Sequence, residues 1–147
     1  MKPKRVIFWA VFGFCAYQLF GYFKTHTDPD VVTYKRFAKA VVDQNDYVLK
    51  TTAEQNVFGN ASVLKASNDK QLEGFEQIIT YYVINSHRKS PDGRRAYIQA
   101  EQVTRVNPEG IDSFWGKEVI RIPHTVELFR DGDAWKIVEF RAPVVTG

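Results

Sequence analysis

"FEQIITYYVINSHRKSPDGRRAYIQAEQVTRV" (residues 75–106) is where the chain changes its period. Upstream, apolar residues recur at helical spacing. Within this stretch they alternate with polar ones, the period of a half-buried strand. The runs 75–87 and 94–106 flank "RKSPDG", whose Pro and Asp-Gly mark a turn, so the stretch reads as a long hairpin. A second hairpin follows: "KEVIRIPHTVELF" (117–129) and "AWKIVEFR" (134–141) flank "RDGD". "EGIDSFWG" (109–116) reads as a loop between them, and Pro123 within a strand implies an edge position or a bulge. Strands that follow helices in this order predict an α+β domain, with helices packed on one face of an antiparallel sheet.

The helical half starts at "THTDPD" (25–30). Thr27 or Asp28 can cap a helix there, and Pro29 suits its first turn, where a missing N–H costs nothing. Val31, Tyr34, Phe37, Ala38, Val41 and Val42 then mark its buried face. Gln44-Asn45-Asp46 interrupts the pattern. Asn45 is the expected left-handed C-cap and Asp46 the expected cap of a second helix, which carries Tyr47, Val48, Leu49 and Ala53 and ends near Phe58-Gly59. One or two short helical turns are expected around 62–66 and 69–72.

Further upstream lies "VIFWAVFGFCAYQLFGYF" (6–23), with no charged residue. Eighteen residues at 1.5 Å rise reach about 27 Å, close to the hydrocarbon thickness of a bilayer. A cleaved signal needs small residues before its cut site, whereas this run ends in bulky aromatics. A lipoprotein signal needs small residues before its cysteine, and Phe14 precedes Cys15. A buried core helix carries a polar face, which this run lacks at any period. A permanent signal anchor is the favoured reading. Trp9 and Tyr22 sit at its two ends, where amphipathic rings favour the interface. Phe12 adds a ring within the span, and Gly13, Tyr17 and Gly21 lie near one stripe along which another helix could approach. Lys2, Lys4 and Arg5 precede the span and only Lys24 follows at once, so the N-terminus is expected in the cytoplasm. This divides the chain into a cytoplasmic tail (1–5), a membrane helix (6–23), a tether (24–28) and an extracytoplasmic domain (29–147). The expected location is the cell (inner) membrane, with the domain on the periplasmic or equivalent side.

The 147 residues suffice for one domain and an appendage; 44% are hydrophobic and 25% charged, as in ordinary folded domains. The net charge of +3 resides in the tail: beyond it, 17 Lys and Arg face 17 Asp and Glu. A neutral domain lacks the positive field that phosphate backbones require, so nucleic acid is excluded as an expected partner. One cysteine permits neither an intrachain disulfide nor a Cys-rich zinc site.

"FAKAVVDQNDYVLKTTAE" (37–54) resembles the opening of the nuclear transport factor 2-like (SnoaL-like) superfamily: an apolar helix, a turn and a second helix that build one wall of a cone. "LFRDGDAWKIVEFR" (128–141) resembles that superfamily's last hairpin. The resemblance spans about residues 29–141 and implies a cone-like α+β fold. The superfamily holds isomerases, dehydratases, hydrolases and many non-catalytic binding modules, and its single-pass anchored members resemble assembly factors and accessory subunits. Fold alone does not choose among these.

Candidate chemistry is sparse. His124 shares the apolar face of its strand with Ile120, Ile122, Val126 and Leu128, so it points into the core or cavity, as a general base, a ligand anchor or a buried histidine satisfied by one hydrogen bond. Tyr82, Tyr97 and Glu101 are the candidates to join it, although spacing puts Tyr97 and Glu101 opposite Ala96, Ile98 and Ala100. His26 and His87 have no second ligand at metal spacing, so no metal site is expected. Asp131 and Asp133 read as turn residues, and neither a phosphate loop nor a nucleophile elbow occurs. No cofactor is expected. Arg88, Lys89, Arg94 and Arg95, with His87, crowd one hairpin tip as a solvated end or a contact for anionic lipid or an acidic partner. Phe114 and Trp115 either cap the sheet or form an exposed patch. Asn60-Ala61-Ser62 fits a glycosylation acceptor, relevant only in a eukaryotic secretory compartment. The expectation that follows is a non-enzymatic, membrane-anchored scaffold or accessory module. Its partners would be membrane lipid and a membrane protein complex or a second copy of the chain. The alternative is an anchored small-ligand binder or enzyme working in the cavity around His124.

Overall fold

A computed structural model describes residues 2–144. Five helices precede four strands: α1 (Pro3–Thr27), α2 (Pro29–Asp43), α3 (Asp46–Thr52), α4 (Gln55–Phe58), α5 (Ala61–Gln71), then β1 (Phe75–Lys89), β2 (Arg95–Pro108), β3 (Glu118–Asp131) and β4 (Ala134–Arg141). The strands form one antiparallel meander in the order β1-β2-β3-β4. Register shifts that leave extra residues in β1 (Ile78 and Asn85) and in β4 (Val138) bend the sheet. This is the expected α+β arrangement.

α1 takes up the whole apolar run and buries none of it. Its 25 residues span about 37 Å, and it is the one described helix long and apolar enough to cross a membrane. The segment expected as a tether continues the helix through Thr27, where the threonine hydroxyls of Thr25 and Thr27 fold back onto carbonyls one turn earlier. Only Asp28, with ψ 134°, interrupts the helical path before α2 begins at Pro29. Asp28 occupies the cap position of α2, but its side chain caps nothing; it faces β1 instead.

The turn after α2 is displaced by one residue from its sequence reading. Gln44, not Asn45, adopts the left-handed conformation (φ 56°). Asn45 is then the N-cap of α3, its Oδ1 accepting from the Val48 N–H at 3.2 Å. The reason is competition: Asn serves well in both roles, and a side-chain acceptor satisfies an otherwise orphaned N–H. The second helix is also broken. Ala53 leaves it to bridge Ile137 of β4, and the Glu54 N–H donates to the Ile137 carbonyl at 3.0 Å. Residues 61–71 form one continuous helix, not separate turns.

The inner face of the sheet carries Ala96, Ile98 and Ala100 of β2, Val126 and Leu128 of β3, and Trp135 and Ile137 of β4. Val31, Tyr34, Phe37, Ala38 and Val41 of α2 pack on it, closed off by Leu49, Ala53, Val57 and Ala61. Pro123 pairs with Glu101 in β2, while β4 pairs with β3 only from Thr125 onward, so Pro123 has the free outer side its missing N–H requires. The loop 109–117 folds back on β2: Asn107 Nδ2 donates to the Ser113 carbonyl at 2.9 Å, and the Lys117 N–H donates to Asn107 Oδ1 at 3.0 Å.

Gly116 makes that fold-back possible. Its φ is +80°, and a Cβ there would lie 3.0 Å from the Val106 nitrogen and 3.1 Å from the Arg105 Cβ. Gly110 has a similar φ of +81° with nothing within 4 Å. Gly110→Ala is therefore expected to cost about 1–2 kcal/mol of backbone strain. Gly116→Ala adds a further cost of about 1–3 kcal/mol from crowding. Denaturant unfolding of the two variants side by side measures the difference; equal losses would contradict it.

Candidate functional site

The interior centres on Tyr34, which is fully buried. Its hydroxyl lies 2.7 Å from His124 Nδ1. The Tyr34 ring meets Tyr82 edge-on at 5.8 Å and stacks on Phe140 at 6.4 Å, and Phe140 lies 4.8 Å from the His124 ring. Burial lowers the His124 pKa to about 4 and raises that of Tyr34 well above the ordinary phenol value. The imidazole is therefore neutral and the phenol protonated at neutral pH, so Tyr34 donates and Nδ1 accepts. The other ring nitrogen then carries the proton. Burial, with Asp43 nearby, pushes Tyr82 up to about 12.

His124 also lines a cavity with Ile122, Gln102, Asn68, Ser67 and Phe140. Gln102 Nε2 donates to Asn68 Oδ1 at 2.6 Å across it. The cavity holds about 20 Å³, room for one or two waters and far less than a substrate pocket. Tyr34 and Phe37 are fully buried, and the Phe140 ring packs on both.

The two expected cavity residues, Tyr82 and His124, thus meet through Tyr34, which the sequence marked only as helix core. Tyr97 and Glu101 do not join them. Tyr97 stands on the outer face with the Arg88 guanidinium 5.7 Å above its ring, and Glu101 accepts from Arg121 Nη1 at 2.9 Å. The basic tip is less crowded than its composition suggests. Arg95 pairs with Glu127 at 2.6 Å and covers Phe129. His87 turns away from the tip altogether, contacting Asp30 through Nε2 and approaching Asp28 at 3.6 Å through Nδ1. Arg88, Lys89 and Arg94 remain exposed at the end.

Phe114 and Trp115 do not cap the sheet. They are 83% and 67% exposed and pack edge-to-face on each other at 5.1 Å. The backbone beneath is fixed, since Arg105 Nε donates to the Trp115 carbonyl at 2.6 Å. On the outer face of the sheet, Ile79 and Val119 flank Arg105 across the ladder and are both exposed. Along α1, Trp9, Phe12, Tyr17 and Tyr22 are all more than half exposed, and Gly13 and Gly21 leave open space beside the backbone.

No family model and no curated protein matches the chain. Among solved structures, the intermembrane space region of the chloroplast protein ARC6 superposes with a TM-score of 0.50 at 18% identity, covering 81% of this chain and 98% of that one. A ketosteroid isomerase-like protein from Shewanella frigidimarina superposes with a TM-score of 0.50 at 15% identity, covering 80% and 96%. Both likenesses concern the fold alone, helices packed on a curved antiparallel sheet, an α+β arrangement consistent with the resemblance to nuclear transport factor 2-like proteins.

The lowered pKa of His124 makes stability depend on pH. The unfolded histidine titrates near 6.5 and the folded one near 4. Between those values the unfolded chain binds the extra proton, so stability is full above pH 6.5 and is lost as pH falls toward 4. The loss from this group is about 3 kcal/mol. His124→Gln should flatten the stability–pH curve in that window relative to wild type. Parallel curves from chemical denaturation between pH 4 and 7 would refute the assignment.

Proposed function

We propose that the chain is a single-pass membrane-anchored, non-enzymatic scaffold or accessory module, which docks onto a larger membrane complex through α1 and the outer surfaces of its domain. The observation that carries this reading is the combination of a filled interior with an apolar helix wholly outside the core. The interior leaves about 20 Å³ beside His124, whereas α1 presents 25 residues to its surroundings with none buried. Free energy for binding is thus available on the surface and scarce inside.

The orientation in this proposal places Lys2, Lys4 and Arg5 in the cytoplasm and the domain across the membrane. The exposed Phe114–Trp115 pair and the Ile79–Val119 strip are its candidate docking surfaces; Arg88, Lys89 and Arg94 can meet anionic headgroups or an acidic partner. The same fold serves the ARC6 intermembrane space region, which supports a non-cytoplasmic module without choosing a partner. The alternative, a small-ligand binder or enzyme at His124, requires the cone to open by displacing Phe140 or Tyr34.

Isolation of the full chain in mild detergent tests the proposal. Co-purification of defined membrane proteins, weakened by Phe114→Ser with Trp115→Ser and abolished by replacing residues 6–23 with a poly-Leu span, is the expected result. Recovery only as a free monomer would count against it. Turnover of a carbonyl or steroid substrate that is lost in His124→Gln would overturn it in favour of the alternative.

A further inference from the structure

Asp28, Asp30 and His87 come from three places in the chain: the break between α1 and α2, the first turn of α2, and the far part of β1. One ligand atom from each lies within 4.8 Å of the other two. Asp30 is fully buried; its Oδ2 contacts His87 Nε2, and its Oδ1 is buried with no hydrogen-bond partner. His87 Nδ1 stands 3.6 Å from Asp28 Oδ2. Among the described residues, no Lys or Arg pairs with either carboxylate within 4.0 Å.

Charge decides what this cluster lacks. Removing a carboxylate from water costs several kcal/mol unless it is matched by opposite charge and hydrogen bonds. A protonated His87 balances only one of the two carboxylates and gives Oδ1 of Asp30 nothing. A divalent cation beside a neutral His87 balances both, and a carboxylate that binds it through both oxygens leaves neither unpartnered. The donor set selects the kind of ion. Calcium and magnesium favour all-oxygen shells, whereas one imidazole nitrogen with two carboxylates suits zinc and its neighbours. Bonds of about 2.0–2.2 Å place tetrahedral donors about 3.3–3.6 Å apart; the ion takes one ring nitrogen of His87, so the side chains rotate from the present arrangement, in which Asp30 faces Nε2 and Asp28 faces Nδ1. Asp28 and His87 keep 28% and 15% of their side chains exposed, which gives an ion a way in.

We propose that Asp28, Asp30 and His87 form a divalent transition-metal site of the zinc type, with water completing the coordination. The bound ion pins the α1–α2 break to β1. Because Asp28 is the sole non-helical residue between the apolar helix and the domain, the ion holds the direction in which α1 leaves the domain.

The test uses the full-length, tag-free chain in detergent after chelator treatment and dialysis. Cobalt(II) is titrated by visible absorption, zinc by calorimetry, and each is followed by thermal unfolding. Uptake of one ion per chain is expected, with a four-coordinate cobalt band that zinc displaces and a raised Tm. Asp30→Asn risks unfolding, so the partly exposed residues carry the test. His87→Gln and Asp28→Asn should each weaken zinc binding by more than about tenfold while retaining the wild-type far-ultraviolet circular dichroism. The site is overturned if the wild-type chain shows no saturable uptake, or if both variants bind zinc as tightly as wild type. Magnesium competing as effectively as zinc overturns the assigned class of ion.

Discussion

The Tyr34–His124 hydrogen bond organises the interior, because among the described residues neither side chain has another hydrogen-bond partner once α2 settles on the sheet. A phenol buried without a partner costs about 1–3 kcal/mol, so the bond fixes the height and rotation of α2 over β3. Phe140 then packs against both rings, which brings the end of β4 over the mouth of the cone. Filling follows from that geometry. A smaller side chain at position 34 would leave a polar imidazole facing an opened cavity; tyrosine closes it and satisfies the imidazole together. The residual space is water-sized, and its polar walls, Gln102 and Asn68, satisfy each other.

The position of α1 follows from the same helix. α2 begins one residue after α1 ends, and Lys35 Nζ contacts His26 Nδ1 across the break. Partial burial, with the Lys35 charge beside it, lowers the pKa of His26, which favours a neutral imidazole next to the ammonium. Tyr22 packs on the His26 ring at 4.1 Å, so aromatic packing runs from the apolar helix to its junction with the domain. The Lys35–His26 contact ties the end of α1 to α2 across the break. Forces acting on the helix would reach the sheet through α2 and through His87 on β1.

How much of this could be read from the sequence depended on distance along the chain. Both hairpins were legible, because Pro91-Asp92-Gly93 and Asp131-Gly132-Asp133 are local turn signals between alternating runs. The outward placement of Tyr97 and Glu101 was legible from the two-residue period alone. The Gln44/Asn45 turn was legible only to within one residue, since Asn suits a C-cap and an N-cap equally and the competition is settled by the Val48 N–H. α5 was obscured by "ASNDK", whose short polar side chains mimic a loop; Ser67 and Asn68 are helical because they face the cavity and the 141–144 segment. The pairs that matter most left no local trace. Tyr34 and His124 lie 90 residues apart, and Asp30 and His87 lie 57 apart.

The comparison between the two similar folds bears on what such a domain can be used for. An isomerase-like protein and the intermembrane space region of ARC6 superpose on this chain equally well, so the backbone does not discriminate between chemistry and docking. What discriminates is the volume inside the cone and the polarity of its lining. A catalytic group needs a reacting atom within reach, and here Tyr34 donates to Nδ1 of the neutral His124 ring. Converting the site to catalysis would require breaking that bond, ejecting an aromatic ring and stabilising a charged imidazole in an apolar pocket. Each step costs stability, and together they approach the marginal stability of an ordinary domain. On the proposed reading the interior serves cohesion, and α1 and the outer surface of the sheet carry the binding.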